Sequence, residues 1–366
     1  MFGAVFSLAS CGPAGRPQSA PVAEVPAAAE AGPIDTTVVF VTIDGARREE
    51  VFGGVDRALA QSHGLRPAEA LDARALVPNL SALRADSGAA FGASALGGEI
   101  RASGPNFVSL PGYTELFTGR GPSSCADNSC GAVSEPTLVD DISARFGCLP
   151  AAAAVVTSWP DIGRVAATRP DCTTMSSGRH GGFHLERFRA TARDAERFDA
   201  DSRADPFPGH GDFRPDHLTG ARALDYLERH EPRFLFVGLG ETDEYAHRDD
   251  YRGYLAALTE ADRWVGALAR SLGRLAERGR RTALFVTADH GRARGFTEHG
   301  AAYPESADVW LVAAGSEIAP RAFSTGERSR RLADLTPTAR HLLGLAPDHS
   351  ERAGTALLEI LGDVRR

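Results

Sequence analysis

Four short clusters in this chain combine acidic residues and histidines behind apolar runs. They are Asp44-Gly45, the stretch Glu241-Thr242-Asp243-Glu244-Tyr245-Ala246-His247, Asp289-His290-Gly291 and Glu298-His299-Gly300. Carboxylate oxygen and imidazole nitrogen are the donors that divalent ions such as zinc take. Asp243 and His247 are four residues apart, so a single helical turn aims both at one point. Taken singly, each element has an ordinary explanation. An Asp at a strand end caps the next helix, and an isolated His is usually a surface residue. Two carboxylate–histidine pairs and a third histidine, all behind predicted strands, read instead as ligands of metal ions.

Ions of this kind need a nucleophile, and the segment from Asn106 to Gly119 supplies one at Ser109. Pro111 and the apolar residues after it mark a helix that starts just beyond Ser109. A hydroxyl there lies at the positive end of the helix dipole, which favours an alkoxide and a phosphoryl group alike. The competing reading is a plain N-cap. Gly112 stands where an acid would complete a capping box, which removes that version of the alternative.

The elements that must position these groups alternate along the chain. Apolar runs at Thr37–Ile43, Ala152–Thr157, Phe234–Leu239, Thr282–Ala288 and Val309–Ala314 predict strands buried on both faces. Helical patterns cover Leu138–Phe146, Thr219–Arg229, Tyr251–Glu277 and Leu332–Leu343. In the third of these, Leu255, Leu258, Ala261, Val265 and Leu268 recur at spacings of three and four, one buried face. The implied architecture is α/β: a three-layer sandwich, its central sheet mostly parallel, with helices on both faces. Ligands bind such sheets beyond the carboxyl ends of the strands, where all four clusters fall. Residues 176–218 are polar and aperiodic and read as an insertion or lid, with His180 and His184 as weak further candidates.

Composition sets the outer bounds. The chain has 366 residues, a formal net charge of −8 and 43% hydrophobic residues, enough apolar material for a core. The net acidity argues against a nucleic-acid-coating role, and no nucleic-acid-binding module is recognisable. All of the basic residues are arginine, from which no function is read. No apolar run reaches the roughly 18 residues of a spanning helix. Leu8-Ala9-Ser10-Cys11 resembles a bacterial lipobox, although no basic residue precedes it. Residues 1–11 therefore read as a lipoprotein signal, 12–34 as an Ala/Pro-rich tether and 35–366 as the folded domain. A lipid anchor at Cys11 implies the bacterial envelope and membrane attachment, with no protein partner inferable. Outside the cytoplasm the four remaining cysteines suit disulfides, Cys125–Cys130 across a short loop and Cys148–Cys172 as the second pair. Zinc binding by these four is the rival, but no Cys-x-x-Cys spacing occurs.

With these motifs in order, the chain resembles the alkaline phosphatase superfamily over about residues 36–346. The pieces that carry the resemblance are Val-Thr-Ile-Asp44-Gly, Ser109-Leu-Pro-Gly-Tyr-Thr-Glu-Leu-Phe-Thr-Gly, Asp243-x-x-x-His247, Thr-Ala-Asp289-His290-Gly and Glu-His299-Gly. It is most similar to the type I phosphodiesterase (nucleotide pyrophosphatase) branch. It also resembles bacterial proteins labelled alkaline phosphatase family or phosphoglyceromutase-like, through the opening Asp-Gly-x-Arg-x-x-Glu-Val-Phe at Asp44–Phe52.

The resemblance implies two divalent metals, zinc by donor type with manganese as the alternative. Asp243, His247 and His299 hold one, while Asp44, Asp289, His290 and the Ser109 oxygen hold the other. It implies a small phosphoester substrate, Ser109 as nucleophile and a phosphoseryl intermediate. Arg47, one turn beyond Asp44, is the first candidate for the non-bridging oxygens and Arg120 the second. Solvated faces are the competing account of both. Gly112 offers no side-chain donor for a developing oxyanion, which leaves Asn106 or a backbone amide.

A formylglycine sulfatase needs Arg where Tyr113 stands, and its oxygen-rich site suits calcium. The 133 residues between Ser109 and Asp243 leave little room for the inserted domain of a phosphoglycerate mutase. The reading is a metal-dependent phosphatase or phosphodiesterase. Sulfatase-like or phosphonate ester hydrolysis on the same core is the alternative, as is a non-catalytic lipoprotein binding phosphorylated ligands.

Overall fold

The apolar runs become the strands expected of them, and their order in space gathers the acidic clusters. A computed structural model describes residue 1 and residues 35–93, 98–149, 151–179, 208–209, 211–324 and 329–362. Asp35–Arg366 form one compact unit. Its main sheet holds seven strands: β1 (Thr36–Ile43), β2 (Gly88–Phe91), β4 (Ala153–Thr157), β5 (Thr174–Ser177), β6 (Phe234–Leu239), β7 (Arg281–Thr287) and β8 (Leu311–Ala314). The order is β2-β8-β7-β1-β6-β4-β5. The run from β7 to β5 is parallel throughout, and β8 lies antiparallel to both β7 and β2. A separate parallel pair joins β3 (Ile100–Arg101) to β9 (Arg330–Arg331).

Alternation along β1 divides the core into two layers. Val38 and Phe40 face a layer with Leu110, Tyr113 and Phe117 of helix α2 (Ser109–Thr118). That layer also takes Leu138 and Ile142 of α3 (Leu138–Phe146) and Leu335 and Ala339 of α7 (Leu335–Leu342). Val39, Val41 and Ile43 face Val51 of α1 (Arg48–Gly53) and Tyr226 and Leu227 of α4 (Asp216–His230). The same layer takes the predicted face of α6 (Tyr251–Glu277), with Leu255, Leu258, Ala261, Val265 and Leu268 all buried. Burial of this apolar surface from both sides is what a parallel sheet requires. The fold is the three-layer α/β sandwich expected.

Several boundaries differ from expectation for physical reasons. The last main strand begins at Leu311 instead of Val309, because the two preceding residues face other partners. Val309 N–H donates to Ile100 O (3.3 Å), and Trp310 Nε1 donates to Ala46 O (2.8 Å). The helix predicted at Leu332–Leu343 opens with a tight turn, Leu332–Asp334, before α7. The polar segment read as a lid begins inside the sheet, since Ser176 and Ser177 end β5 and Asp216 starts α4. Buried Arg214 donates to Ser176 Oγ (2.9 Å), Thr157 O (2.9 Å) and Thr219 Oγ1 (2.9 Å). Residues 180–207 and 210, with His180 and His184, lie outside the described residues, as do Cys11 and the tether.

Both disulfides form, Cys125–Cys130 and Cys148–Cys172, with Cα–Cα separations of 5.5 and 4.7 Å. No helix among the described residues is long and apolar enough to cross a membrane.

Candidate metal centre

Because β1, β6 and β7 run parallel and adjacent, their carboxyl ends deliver Asp44, the Gly240–Glu241 turn and Asp289 to one edge of the sheet. Helix α5 (Glu241–His247) follows β6 at once and carries Asp243 and His247 on one turn. Two groups of donors result. Asp243, His247 and His299 make an outer group; Asp44, Asp243 and His290 make an inner one, with Asp243 common to both.

In the outer group Nε2 of His247 lies 3.0 Å from Nε2 of His299 and 3.0 Å from Asp243 Oδ2. His299 gives its Nδ1–H to Phe107 O (3.0 Å), so its Nε2 carries a lone pair towards the group. His290 is held the same way, with Nδ1 on Gly291 O (2.9 Å).

Asp44 and His290 of the inner group are buried, as is Asp289 beside them. From His290 Nε2 it is 3.3 Å to Ser109 Oγ, 3.4 Å to Asp44 Oδ1 and 3.5 Å to Asp289 Oδ2. Donors about 2.1 Å from a tetrahedral zinc ion stand about 3.4 Å apart, so these separations fit one. Asp44 Oδ1 and Asp289 Oδ2 are buried and accept no hydrogen bond among the described residues. Their partner oxygens are engaged: Asp44 Oδ2 accepts from Tyr113 O–H (2.9 Å), and Asp289 Oδ1 from Gly45 N–H (3.1 Å). Each carboxylate thus keeps one bare oxygen turned inward, a cost that only a cation or a proton removes.

The titration behaviour agrees. Burial, then the Asp44 charge, pushes Asp289 well above the usual carboxylate range. Burial opposes protonation of His290, yet the charges of Asp289, Asp243 and Asp44 raise it to about 9. Burial and the neighbouring His290 hold His299 at about 3. The residues present therefore fit divalent ions in both groups.

Ser109 is the first residue inside α2, with Val108 as its N-cap and no capping bond from any side chain of that residue. The hydroxyl is 5% exposed as a residue and faces His290, so it is not the N-cap that was its alternative. Gly112 packs directly on the ligand loop; a Cβ there would lie 2.3 Å from Asp289 O.

Three other expected residues do different work. Arg47 turns inward to Glu50 (3.2 Å), with Asp56 (3.5 Å) and Glu49 (3.7 Å) near it, a buried pairing one turn along its own helix. Arg120 follows α2 at the end remote from Ser109, about 15 Å away along the helix, and pairs with Asp348 (2.6 Å). Asn106 spends its amide as a bridge, Nδ2 to Ala126 O (3.0 Å) and Oδ1 from Ala301 N–H (3.1 Å). It steadies the loop after His299.

Three residues that the motifs did not point to complete the centre. Tyr113 orients Asp44, and its place one turn after Ser109 was the available signal. Asn128, inside the Cys125–Cys130 loop, accepts from Leu110 N–H (2.9 Å), which puts its amide at the same helix end as the nucleophile. Its Nδ2 has no partner among the described residues. Arg292, directly after Asp289-His290-Gly291, has a fully buried side chain that pairs with Asp243.

Comparison with known proteins agrees with this geometry at the level of fold and metal chemistry. Residues 215–347 match the metalloenzyme superfamily. The alkaline phosphatase PafA superposes with a TM-score of 0.55 at 11% identity, over 90% of this chain and 99% of that one. A phosphonate monoester hydrolase of Agrobacterium radiobacter gives 0.54 at 15% identity, over 89% of this chain and 77% of that one. The chain has the fold of these two structures, and residues 215–347 carry the match to the metalloenzyme superfamily. In sequence, a phosphopentomutase of Symbiobacterium thermophilum is 33% identical over 150 residues, which is 39% of this chain and 35% of that protein. A 2,3-bisphosphoglycerate-independent phosphoglycerate mutase of Cereibacter sphaeroides is 32% identical over 150 residues, 39% of this chain and 26% of that protein. The matched stretch is thus about a third or less of these relatives' own lengths.

Proposed function

We propose that the chain is a phosphoester hydrolase with Ser109 as nucleophile and two divalent metals held by Asp243, His247 and His299 and by Asp44, Asp289 and His290. The observation that carries this reading is the approach of Ser109 Oγ, Asp44 Oδ1 and Asp289 Oδ2 to His290 Nε2 within 3.3–3.5 Å, two of them bare carboxylate oxygens. Divalent ions at these positions supply Lewis-acid charge, offsetting the carboxylates and polarising the ester.

The chain's own groups do the rest. The N-terminus of α2 favours the Ser109 alkoxide and the phosphoryl group it attacks. Ser109 Oγ bonds to phosphorus as the bond to the ester oxygen breaks and the alcohol leaves. Asn128 Nδ2, its amide oriented by the Leu110 N–H, donates to a non-bridging oxygen where charge builds up. Water then attacks phosphorus, the Oγ–P bond breaks, and phosphate and free Ser109 are left.

The mutase relatives favour a second reading, in which the phosphoserine passes its phosphoryl group to another hydroxyl instead of water. The address is proposed from Cys11 alone, as a lipoprotein of the bacterial envelope; labelling with a fatty-acid probe tests it, and no label on the wild-type chain would refute it.

The functional test is hydrolysis of p-nitrophenyl phosphate, bis-p-nitrophenyl phosphate and p-nitrophenyl sulfate by the full chain, with zinc, with manganese and with chelator. Metal-dependent turnover that is lost in Ser109→Ala is the expected outcome. Equal turnover by Ser109→Ala would refute the nucleophile. Transfer to an added sugar alcohol that outruns transfer to water would select the mutase reading.

A further inference from the structure

Arg292 is a cation where none was expected, and every nitrogen of its guanidinium is in use. Nε donates to Phe296 O (2.5 Å), Nη2 to Thr297 O (2.6 Å), and Nη1 pairs with Asp243 Oδ1. Its side chain is fully buried. The three acceptors belong to two separate pieces of the outer group. Asp243 sits on α5, whereas the two carbonyls sit on the short loop that ends in His299.

That loop needs an anchor. Phe296 has φ +79°, in the left-handed region that an aromatic residue rarely enters. Its ring is packed edge-on against Tyr251 and Tyr254, both at 5.1 Å, so the side chain is fixed, while Arg292 takes the carbonyl of this residue and of the next. Ala293 N–H closes the loop on Glu298 O (2.7 Å), one residue before His299. The first motif makes room for the arrangement. At Gly45 (φ +59°) a Cβ would lie 2.6 Å from Arg292 Nη1 and 2.5 Å from Asp243 Oδ1.

We propose that Arg292 is a positioning residue that joins Asp243 and the His299 loop into one metal-binding unit, setting the affinity of the outer metal more than that of the inner one. The proposal rests on the metal reading above. A planar fork of donors does this where a point charge cannot. Three acceptors in fixed directions need guanidinium geometry, and lysine keeps the charge but reaches fewer of them.

The test titrates zinc into the apo full chain by calorimetry and counts tetrahedral sites from the visible spectrum of the cobalt form. The wild-type chain is expected to take two ions. In Arg292→Met one ion is expected to bind about 10–100-fold more weakly, the usual loss when a ligand's supporting partner is removed, and the other to lose clearly less. Arg292→Lys keeps a buried cation and guards against a fold lost to the neutral variant; it too is expected to lose about tenfold at one site and less at the other. Wild-type affinity at both sites in either folded variant would overturn the proposal alone. Equal loss at both sites would overturn it as well, since the inner group shares only Asp243 with the clamp, whereas the outer group depends on Asp243 and on the His299 loop together. A wild-type chain that binds no metal would remove the metal reading and this proposal together.

Discussion

Replacing Gly112 by alanine is the sharpest way to ask whether the spacing between nucleophile and ligands sets the rate. On helix propensity alone the change should help, because alanine is favoured over glycine by about 1 kcal/mol inside a helix. The structure reverses the sign. The new Cβ would sit 2.3 Å from the backbone oxygen of Asp289, and contacts of this kind essentially never fall below 3.0 Å, so α2 and the ligand loop must part by about 0.7 Å. Neither side is a flexible side chain that can swing away. Residue 112 is one turn from Ser109, so the 3.3 Å approach of Ser109 Oγ to His290 Nε2 opens by a similar amount.

Misplacement of about 1 Å can cost on the order of 10²-fold in rate, so Gly112→Ala should lose about 30–100-fold in kcat. Overpacking costs about 1–3 kcal/mol, and the propensity gain offsets about 1 of it, so the fold should survive. The assay is steady-state turnover of the best ester with both metals saturating, beside a urea melt and a metal count. Activity within about threefold of wild type, with metals bound and stability unchanged, would refute the argument that this glycine sets the nucleophile's distance.

Other perturbations test separate parts. Asn128→Ala should lower kcat about 10–100-fold, below the full effect of an enclosed oxyanion donor because the residue is exposed. Unchanged kcat would mean that its amide only caps α2. Burial pushes Glu115 up to about 7, against hydrogen bonds from Ser103 and Ala333, whereas the unfolded chain titrates it near 4.5. Between these values the folded state holds more protons, so stability should fall as pH rises from about 5 to 7. Urea melts of the metal-free chain should show that slope, shallower in Glu115→Gln, and a slope identical in the two would rule the group out. Chelation should lower the melting temperature, since the bare oxygens of Asp44 and Asp289 then lose their counter-charge; an unmoved melting curve in a chain shown to have held metal would contradict that account.

The gathering of the candidate metal ligands was legible in the sequence because a parallel sheet turns one-dimensional punctuation into position. An acid behind an apolar run must land at the carboxyl edge, so Asp44, Asp243 and Asp289 could be grouped before any contact was known. The supporting residues were not legible, because their partners are remote. Tyr113 reaches Asp44 across 69 positions and Arg292 reaches Asp243 across 49. The structural partner of Arg47 was in view, since Glu50 three residues on is the helical spacing of an ion pair. Strands β2 and β5 escaped notice because Gly88-Ala-Ala-Phe91 and Thr174-Met-Ser-Ser177 lack the β-branched apolar signature, and contact with neighbouring strands holds them.

The central place of β1 has a consequence for how the chain comes to be folded. Phe40 lies between Phe236 and Phe285, so the earliest-made strand of the sheet waits for two strands made much later before it has neighbours on both sides. Asp44 cannot meet Asp243 or Asp289 until that insertion is complete, and His299 is made later still. Contacts so distant along the chain make for slow folding. Until β6 and β7 are made, both edges of β1 stand open, and these are the surfaces through which a newly made chain would pair wrongly with another.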